Sequence, residues 1–330
     1  MPHLNLTKGH GCGVDVLVVD ATPGQLGSDS ELSRLVARLC DRAGPIGGEC
    51  VYFLDDRPAD PVVWCFNPSG ALVRASGFGI GVVGRLVSDR RGLDTLRVRA
   101  GDERFLVRRL PDSPEGAARV SVELPAADFA PSQPIIAGRV SNIGEIEPAF
   151  HRSRPVSAVA MPDAHLVAIV GRYDETELVE AGLRVAAAPG VFPRGADVTF
   201  MMPLGEDGEV FARTYERGKG LSRSCASGVA ACRAVYSRLG ALTPDTPLLV
   251  RTPGGPVHAA LRVEGEVWIP TLEGNATLAF RAELEPGLLF SSTPVSLDLR
   301  AQVEEIMAFA ALSEANTRVL SESGVLYVET

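Results

Sequence analysis

The sequence predicts an α+β protein made of two pseudo-symmetric α/β domains, and three observations carry that expectation. SGFGIGVVGRLVSDRRGL, from Ser76, overlays CASGVAACRAVYSRLGAL, from Cys225, 149 residues further on, as a duplicated unit would. The surroundings repeat as well: a Gly-rich turn entering a strand precedes each segment (GPIGGECVYFL from Gly44, FPRGADVTFMM from Phe192), and a Val-Arg strand follows each (TLRVRAGD, PLLVRTPGG). Finally, 330 residues with 45% hydrophobic side chains suffice for two domain-sized cores.

In chain order, alternating apolar residues place a strand at 14–20. Leu32, Leu35, Val36 and Leu39 fall on one face of a helix over about 30–43, as 3.6-residue periodicity requires. Strands follow near 49–54 and 61–67. Glycine opens the helix at 77–91, where Ile80, Val83 and Val87 share a face, and strands near 95–100, 104–110 and 118–124 close the first copy. Pro-rich FAPSQPIIAG (129–138) is read as the linker. The second copy repeats the order from about 155, with helices near 174–183 and 226–239. The domains are set at 1–130 and 131–284, with the last strand, about 276–284, able to return to the first domain. Residues 285–330 form a C-terminal extension: a Pro/Ser loop, an amphipathic helix around 300–313 (Val303, Ile306, Met307) and a short strand, VLYV.

Composition narrows the function. Against 32 basic side chains stand 41 acidic ones, scattered, for a net charge of −9, so there is no basic surface for nucleic acid. No apolar run approaches the roughly 20 residues that span a bilayer, and MPHLNLTKGHG lacks the charged and apolar regions of a signal peptide. A cytoplasmic protein with no membrane or nucleic-acid partner is expected. The cysteines Cys12, Cys40, Cys50, Cys65, Cys225 and Cys232 show no zinc-type spacing. Only Lys8 and Lys219 could carry a pyridoxal Schiff base, and both lie among glycines in loops. No GxxxxGK[ST] loop occurs. The chemistry is therefore expected to use side chains alone, without cofactor or metal.

Cys225 stands just ahead of a helix that begins with Ala226, Ser227 and Gly228. Free N–H groups and the positive helix end stabilise a thiolate there, which predicts a lowered pKa. The first copy has Ser76 in the same place. If the two helix starts face each other across an interdomain cleft, a substrate carboxylate can sit between their N–H donors with its α-carbon flanked by Cys225 and Ser76. That geometry suits proton removal from one face of a carbon acid and return to the other. Taken alone, Cys225 reads equally as a small residue at a helix start.

The motifs resemble those of diaminopimelate epimerase and its relatives, the cofactor-independent amino-acid racemases and epimerases. LTKGHGCGVDVLVVD is similar to the family's F-x-K-M-x-G-x-G-N-D-F strand, CDRAGPIGGECV to its C-D-R-x-x-G-I-G-A-D-G turn, and FNPSGALVRASGFGIG to F-N-x-D-G-S-x-x-x-x-C-G-N-G. In the second half VAMPDAHLVAIV resembles the G-N-P-H strand, FPRGADVTFM the F-P-x-x-x-N-V-x-F strand, and TYERGKGLSRSCASGVAAC the E-R-G-x-G-E-T-x-A-C-G-T-G-A motif. The resemblance implies two domains, each a barrel-like sheet around a central helix, with the site between them. It implies that Cys225 is one of two acid/base thiols. Asn67, Glu216 and Arg217 would contact the distal polar group of an amino acid, while Ala226 and Ser227, with Gly77 and Phe78 from the other helix, would offer N–H groups to its carboxylate. His165 matches a family histidine whose neighbours line the site; alone it reads as a hydrogen-bonded structural residue.

This sequence departs from the family at informative places. Ser76 replaces the second thiol, so one face should be favoured. Val14, Asp163, Asp197 and Phe78 stand where the family has asparagines, which argues against diaminopimelate as substrate. Asp163, Asp197 and Glu216 place three carboxylates near one Arg217 and predict a substrate with a cationic distal group. Serine/cysteine and threonine/cysteine pairs also occur in the similar proline racemase family, among dehydratases that use one base. The first expectation is thus a pyridoxal-independent amino-acid isomerase with a Ser76/Cys225 pair. A one-base lyase, dehydratase or double-bond isomerase is the second, and a catalytically inactive binding protein the third. The extension serves equally to cover the cleft, to pack on the second domain or to join two copies as a homodimer.

Overall fold

The computed structural model describes residues 4–205, 208–285 and 299–328. Contacts divide the chain into two units, one of Met1–Val122 with Asn275–Leu312 and one of Glu123–Gly274 with Ser313–Thr330.

The first unit begins with the hairpin β1 (Leu4–Gly11) and β2 (Val14–Val19), then α1 (Asp29–Cys40), β3 (Cys50–Asp55), β4 (Val62–Phe66) and β5 (Leu72–Val73). The central helix α2 (Gly77–Arg91) leads to β6 (Thr95–Ala100), β7 (Glu103–Leu110) and β8 (Arg119–Glu123). β2 and β3 run parallel, as do β4 and β6, while the other neighbours are antiparallel. Every residue of α2 from Gly77 to Ser88 is buried. A helix apolar all round can persist only if strands cover every side, and α2 packs on β1, β2, β6 and β7.

The second unit repeats this plan. After β9 (Glu145–Ile146) come β10 (Pro155–Ala160), β11 (Ala164–Ile169), α3 (Glu175–Ala186), β12 (Asp197–Leu204), β13 (Glu209–Glu216) and β14 (Gly220–Leu221). Buried α4 (Ala226–Arg238) precedes β15 (Leu248–Thr252), β16 (Gly255–Glu264) and β17 (Val267–Asn275). The hairpin β10–β11, the parallel pair β11–β12, the antiparallel pair β12–β13 and the parallel pair β13–β15 reproduce the first unit's order. Ala127 and Asp128 bridge to Trp268 of β17 and Ala160 of β10, joining the last strand to the first around α4.

The chain then returns to the first unit. β18 (Thr277–Leu284) lies antiparallel to β1, and the Ala276 N–H donates to Ala118 O at 2.9 Å, linking β18 to the approach of β8 and closing that sheet around α2. β19 (Leu299–Ala301) pairs with β18, and α5 (Val303–Glu322) follows.

Several expectations change here. FAPSQPIIAG is not a spacer, because its Ile135 and Ile136 are buried in the second unit's core. The C-terminal helix is longer than the amphipathic pattern suggests, running to Glu322. Its Glu305 chelates the buried Arg85 of α2 at 2.7 Å and accepts the Leu278 N–H at 2.8 Å. VLYV is not a strand; it is tied down where Arg213 donates to Val328 O at 2.9 Å. The Pro/Ser loop lies outside the described residues. No helix among those described is long and apolar enough to cross a membrane.

Candidate active site

Cys225 caps α4. Its Sγ accepts the Gly228 N–H at 3.4 Å and lies 3.4 Å from Ser227 Oγ. The first-turn N–H groups of Ala226 and Ser227 precede any helical acceptor, so they face outward as a helix start dictates. The expected low thiol pKa does not materialise. Burial, with the charges of Glu216 and Asp197 behind it, pushes the Cys225 thiol well above its ordinary range, outweighing the Ser227 and Gly228 hydrogen bonds. At rest the group is a thiol.

The carboxylates are also arranged differently from the sequence expectation. The β11–β12 register sets His165 beside Asp197, and the Arg217 backbone N–H donates to Asp197 Oδ1 at 2.8 Å. The Arg217 guanidinium is exposed and donates to the Arg194 carbonyl, so it neutralises none of the three acids. Glu216 accepts from Lys219 at 2.5 Å. Asp163 lies exposed in the β10–β11 turn, while Glu216 and Asp197 are buried to a similar extent and Glu216 has the Lys219 ion pair. Burial, helped by Glu216 and Asp163, raises Asp197 to about 6. His165 Nε2 stands 4.0 Å from Asp197 Oδ2. It is fully buried without a hydrogen-bond partner on either ring nitrogen, and burial lowers it to about 4. It is therefore neutral and not the hydrogen-bonded residue expected of a lone histidine.

In the first unit Ser76 caps α2, its Oγ accepting the Gly79 N–H at 3.0 Å, with Gly77 and Phe78 as the first helical residues. Asn67 closes the turn after β4: its Oδ1 accepts Ser69 N–H, Ser69 Oγ–H and Ala71 N–H at 3.1, 2.6 and 3.0 Å. That oxygen is committed to the turn. A residue the sequence did not single out lies behind Ser76. Tyr52, on β3, accepts the Ser76 N–H at 2.9 Å through its hydroxyl. Its counterpart in the second unit is Thr199, hydrogen-bonded to Thr214. The repeat itself was the signal that could have found both, since β3 and β12 align on it. Among the described residues no group of three or more His, Cys, Asp or Glu is arranged to hold a metal ion.

Residues 157–279 match the family model for diaminopimelate epimerase. Diaminopimelate epimerase of Clostridium acetobutylicum is 26% identical over 287 residues, covering 86% of each chain. Among solved structures, a phenazine biosynthesis protein of the PhzF family from Bacillus anthracis superposes with a TM-score of 0.60 at 15% identity, covering 86% of this chain and 100% of that one. A hydroxyproline epimerase from Agrobacterium vitis, holding trans-4-hydroxy-L-proline, gives 0.54 at 18% identity over 92% and 98%. The duplicated barrel with a buried helix is thus the fold of these proteins, and the chain is an isomerase of the epimerase and racemase type. More narrowly, it is similar to the diaminopimelate epimerases, with Ser76 where the first helix start carries a cysteine in their pattern.

Proposed function

We propose that the protein moves the α-proton of an amino acid or amino-acid-like substrate other than diaminopimelate, with Cys225 as the proton-transfer thiol and Ser76 as the second group of the pair. The observation that carries the reading is the Cys225 environment. The helix-start N–H groups suit a substrate carboxylate, while burial holds the thiol protonated and the charges of Glu216 and Asp197 add to its effect. A substrate with a distal ammonium, guanidinium or imidazolium beside those carboxylates offsets their field and lowers the thiol pKa on binding. The base then forms only when substrate is present.

In the reaction the Cα–H bond breaks, its electron pair delocalises into a carboxylate held by the Ala226 and Ser227 N–H groups, and the proton goes to Cys225 Sγ. A solvent proton relayed by Ser76 to the opposite face gives inversion. Asp163, Asp197 and Glu216 set the preference for a cationic distal group, and Arg217 contributes through the backbone N–H that fixes Asp197.

Ser76 already accepts from Gly79 and has a hydroxyl behind it. This favours, as the second reading, a one-base reaction in which exchange or elimination proceeds without inversion. Incubation of cationic, neutral and acidic amino acids with the protein in deuterated water, followed by NMR and chiral analysis, tests both. Exchange of cationic substrates with inversion supports the first reading, exchange without inversion the second. Silence across the panel, or a preference for acidic side chains, contradicts the substrate class.

A further inference from the structure

Tyr52 is fully buried on β3, and its hydroxyl meets Ser76 three times: it accepts the backbone N–H at 2.9 Å and lies 3.4 Å from Oγ and 3.5 Å from the carbonyl oxygen. The fit is tight enough to dictate a neighbour. A Cβ on Gly79 would lie 2.2 Å from the Tyr52 oxygen, so the phenol reaches Ser76 only because α2 has glycine there.

We propose that Tyr52 fixes the Ser76 hydroxyl as a hydrogen-bond donor directed away from the protein core, toward an oxygen or developing negative charge of the ligand. The argument is an inventory of lone pairs and protons. A serine hydroxyl has two acceptor positions and one proton. The Gly79 N–H fills one acceptor position, and we assign the Tyr52 O–H, 3.4 Å away, to the other, over the Ser76 carbonyl at 3.5 Å, which already accepts the Ile80 N–H, and over the Cys65 thiol, a weaker acceptor. The serine proton then points outward. Tyr52 does not give its proton up: burial, with the thiols Cys65 and Cys50 on the same face of β3 and β4, holds it well above the ordinary phenol range. Ser76 therefore stabilises charge without abstracting a proton, and Tyr52 is its positioning residue. The ligand's place here rests on the proposed function; the direction of the hydrogen bond does not.

The test reads that direction without substrate. The thiol introduced by Ser76→Cys is alkylated with iodoacetamide across pH 6 to 10 and followed by peptide mass, with and without Tyr52→Phe. A donor to sulfur stabilises the thiolate, so Tyr52→Phe is expected to raise the midpoint by about one pH unit, about tenfold less thiolate at neutral pH. An unchanged or lowered midpoint overturns the proposal. Should the double variant not fold, 3-fluorotyrosine at position 52 keeps the ring size and strengthens the donor. The midpoint should then fall, and an unchanged or raised one overturns the proposal equally. Silence in the deuterium panel alongside a raised midpoint for Tyr52→Phe would sink the isomerase reading and leave the hydrogen bond standing.

Discussion

Thr199 and Thr214 face each other across β12 and β13 and share a hydroxyl hydrogen bond of 2.9 Å, at the register position that Tyr52 and Cys65 hold across β3 and β4. Each polar pair rises beneath the start of a central helix, and each is admitted by a glycine three residues past the cap. At Gly228 a Cβ would lie 2.4 Å from Thr214 Oγ1.

Gly228→Ala sets two effects against each other. Alanine gains about 1 kcal/mol in helix propensity, while forcing a methyl into a filled core costs about 1–3 kcal/mol. Because Thr214 is held by Thr199 and cannot swing clear, overpacking should win, by up to about 2 kcal/mol in urea unfolding. Thr214→Ser leaves the hydroxyl in place and should rescue little; Thr214→Ala should restore most of the loss. Equal stability of Gly228→Ala and wild type would show that the pair yields freely.

Glu216→Gln removes one of the two charges that raise the Cys225 thiol. Its alkylation midpoint should fall, and its rate at neutral pH should rise several-fold. Ser227→Ala, which removes a hydrogen bond to Sγ, should shift the midpoint the other way. Movement of both variants in one direction would mean that burial alone sets this pKa.

Asp197 and His165 oppose each other in pH-dependent stability. Asp197, raised from 3.8 to about 6, binds its proton more tightly folded than unfolded, so its contribution falls as pH rises across that window. His165, lowered from 6.5 to about 4, is protonated more readily in the unfolded chain, so its contribution falls as pH drops across nearly the same window. The two slopes cancel between pH about 4 and 6. Asp197→Asn should unmask the histidine, and stability should rise with pH by about 1.4 kcal/mol per unit relative to wild type. Parallel urea midpoints for the two proteins at pH 4, 5 and 6 would refute the assignment.

Most of the architecture was legible because it follows from periodicity. α2 and α4 begin where glycine and small residues follow a capping side chain, and Gly77–Arg91 is the range expected from sequence. The chemistry was legible only in part. A helix start is visible in CASG, but not the burial and the two carboxylates that reverse its effect on the thiol. The partner of Arg217 was misread because a long side chain reaches whatever acceptor the fold brings near, here the Arg194 carbonyl. Tyr52 went unnoticed because an aromatic on an apolar strand reads as core, and only tertiary packing turns its hydroxyl toward Ser76.

Glu305 was likewise invisible, lying in a segment that reads as an appendage. It lies on α5 and pairs with Arg85, whose side chain is 8% exposed. Breaking such a pair from one side leaves Arg85 with Asp89, at 3.3 Å, as its remaining ion-pair partner, at a cost of roughly 1–3 kcal/mol. Glu305→Ala should therefore lower the urea midpoint strongly. Glu304→Ala, one residue earlier on the exposed face of the helix, should leave it unchanged. Equal effects would mean that the helix contributes through packing alone.

The central claim is that Cys225 carries the proton. The most direct measurement is deuterium incorporation at the α-carbon of the best substrate of the amino-acid panel, by wild type, Cys225→Ala and Ser76→Ala, with folding of each verified by thermal unfolding. The account predicts that exchange disappears in Cys225→Ala and persists, weakened, in Ser76→Ala. Undiminished exchange in a folded Cys225→Ala protein would contradict it.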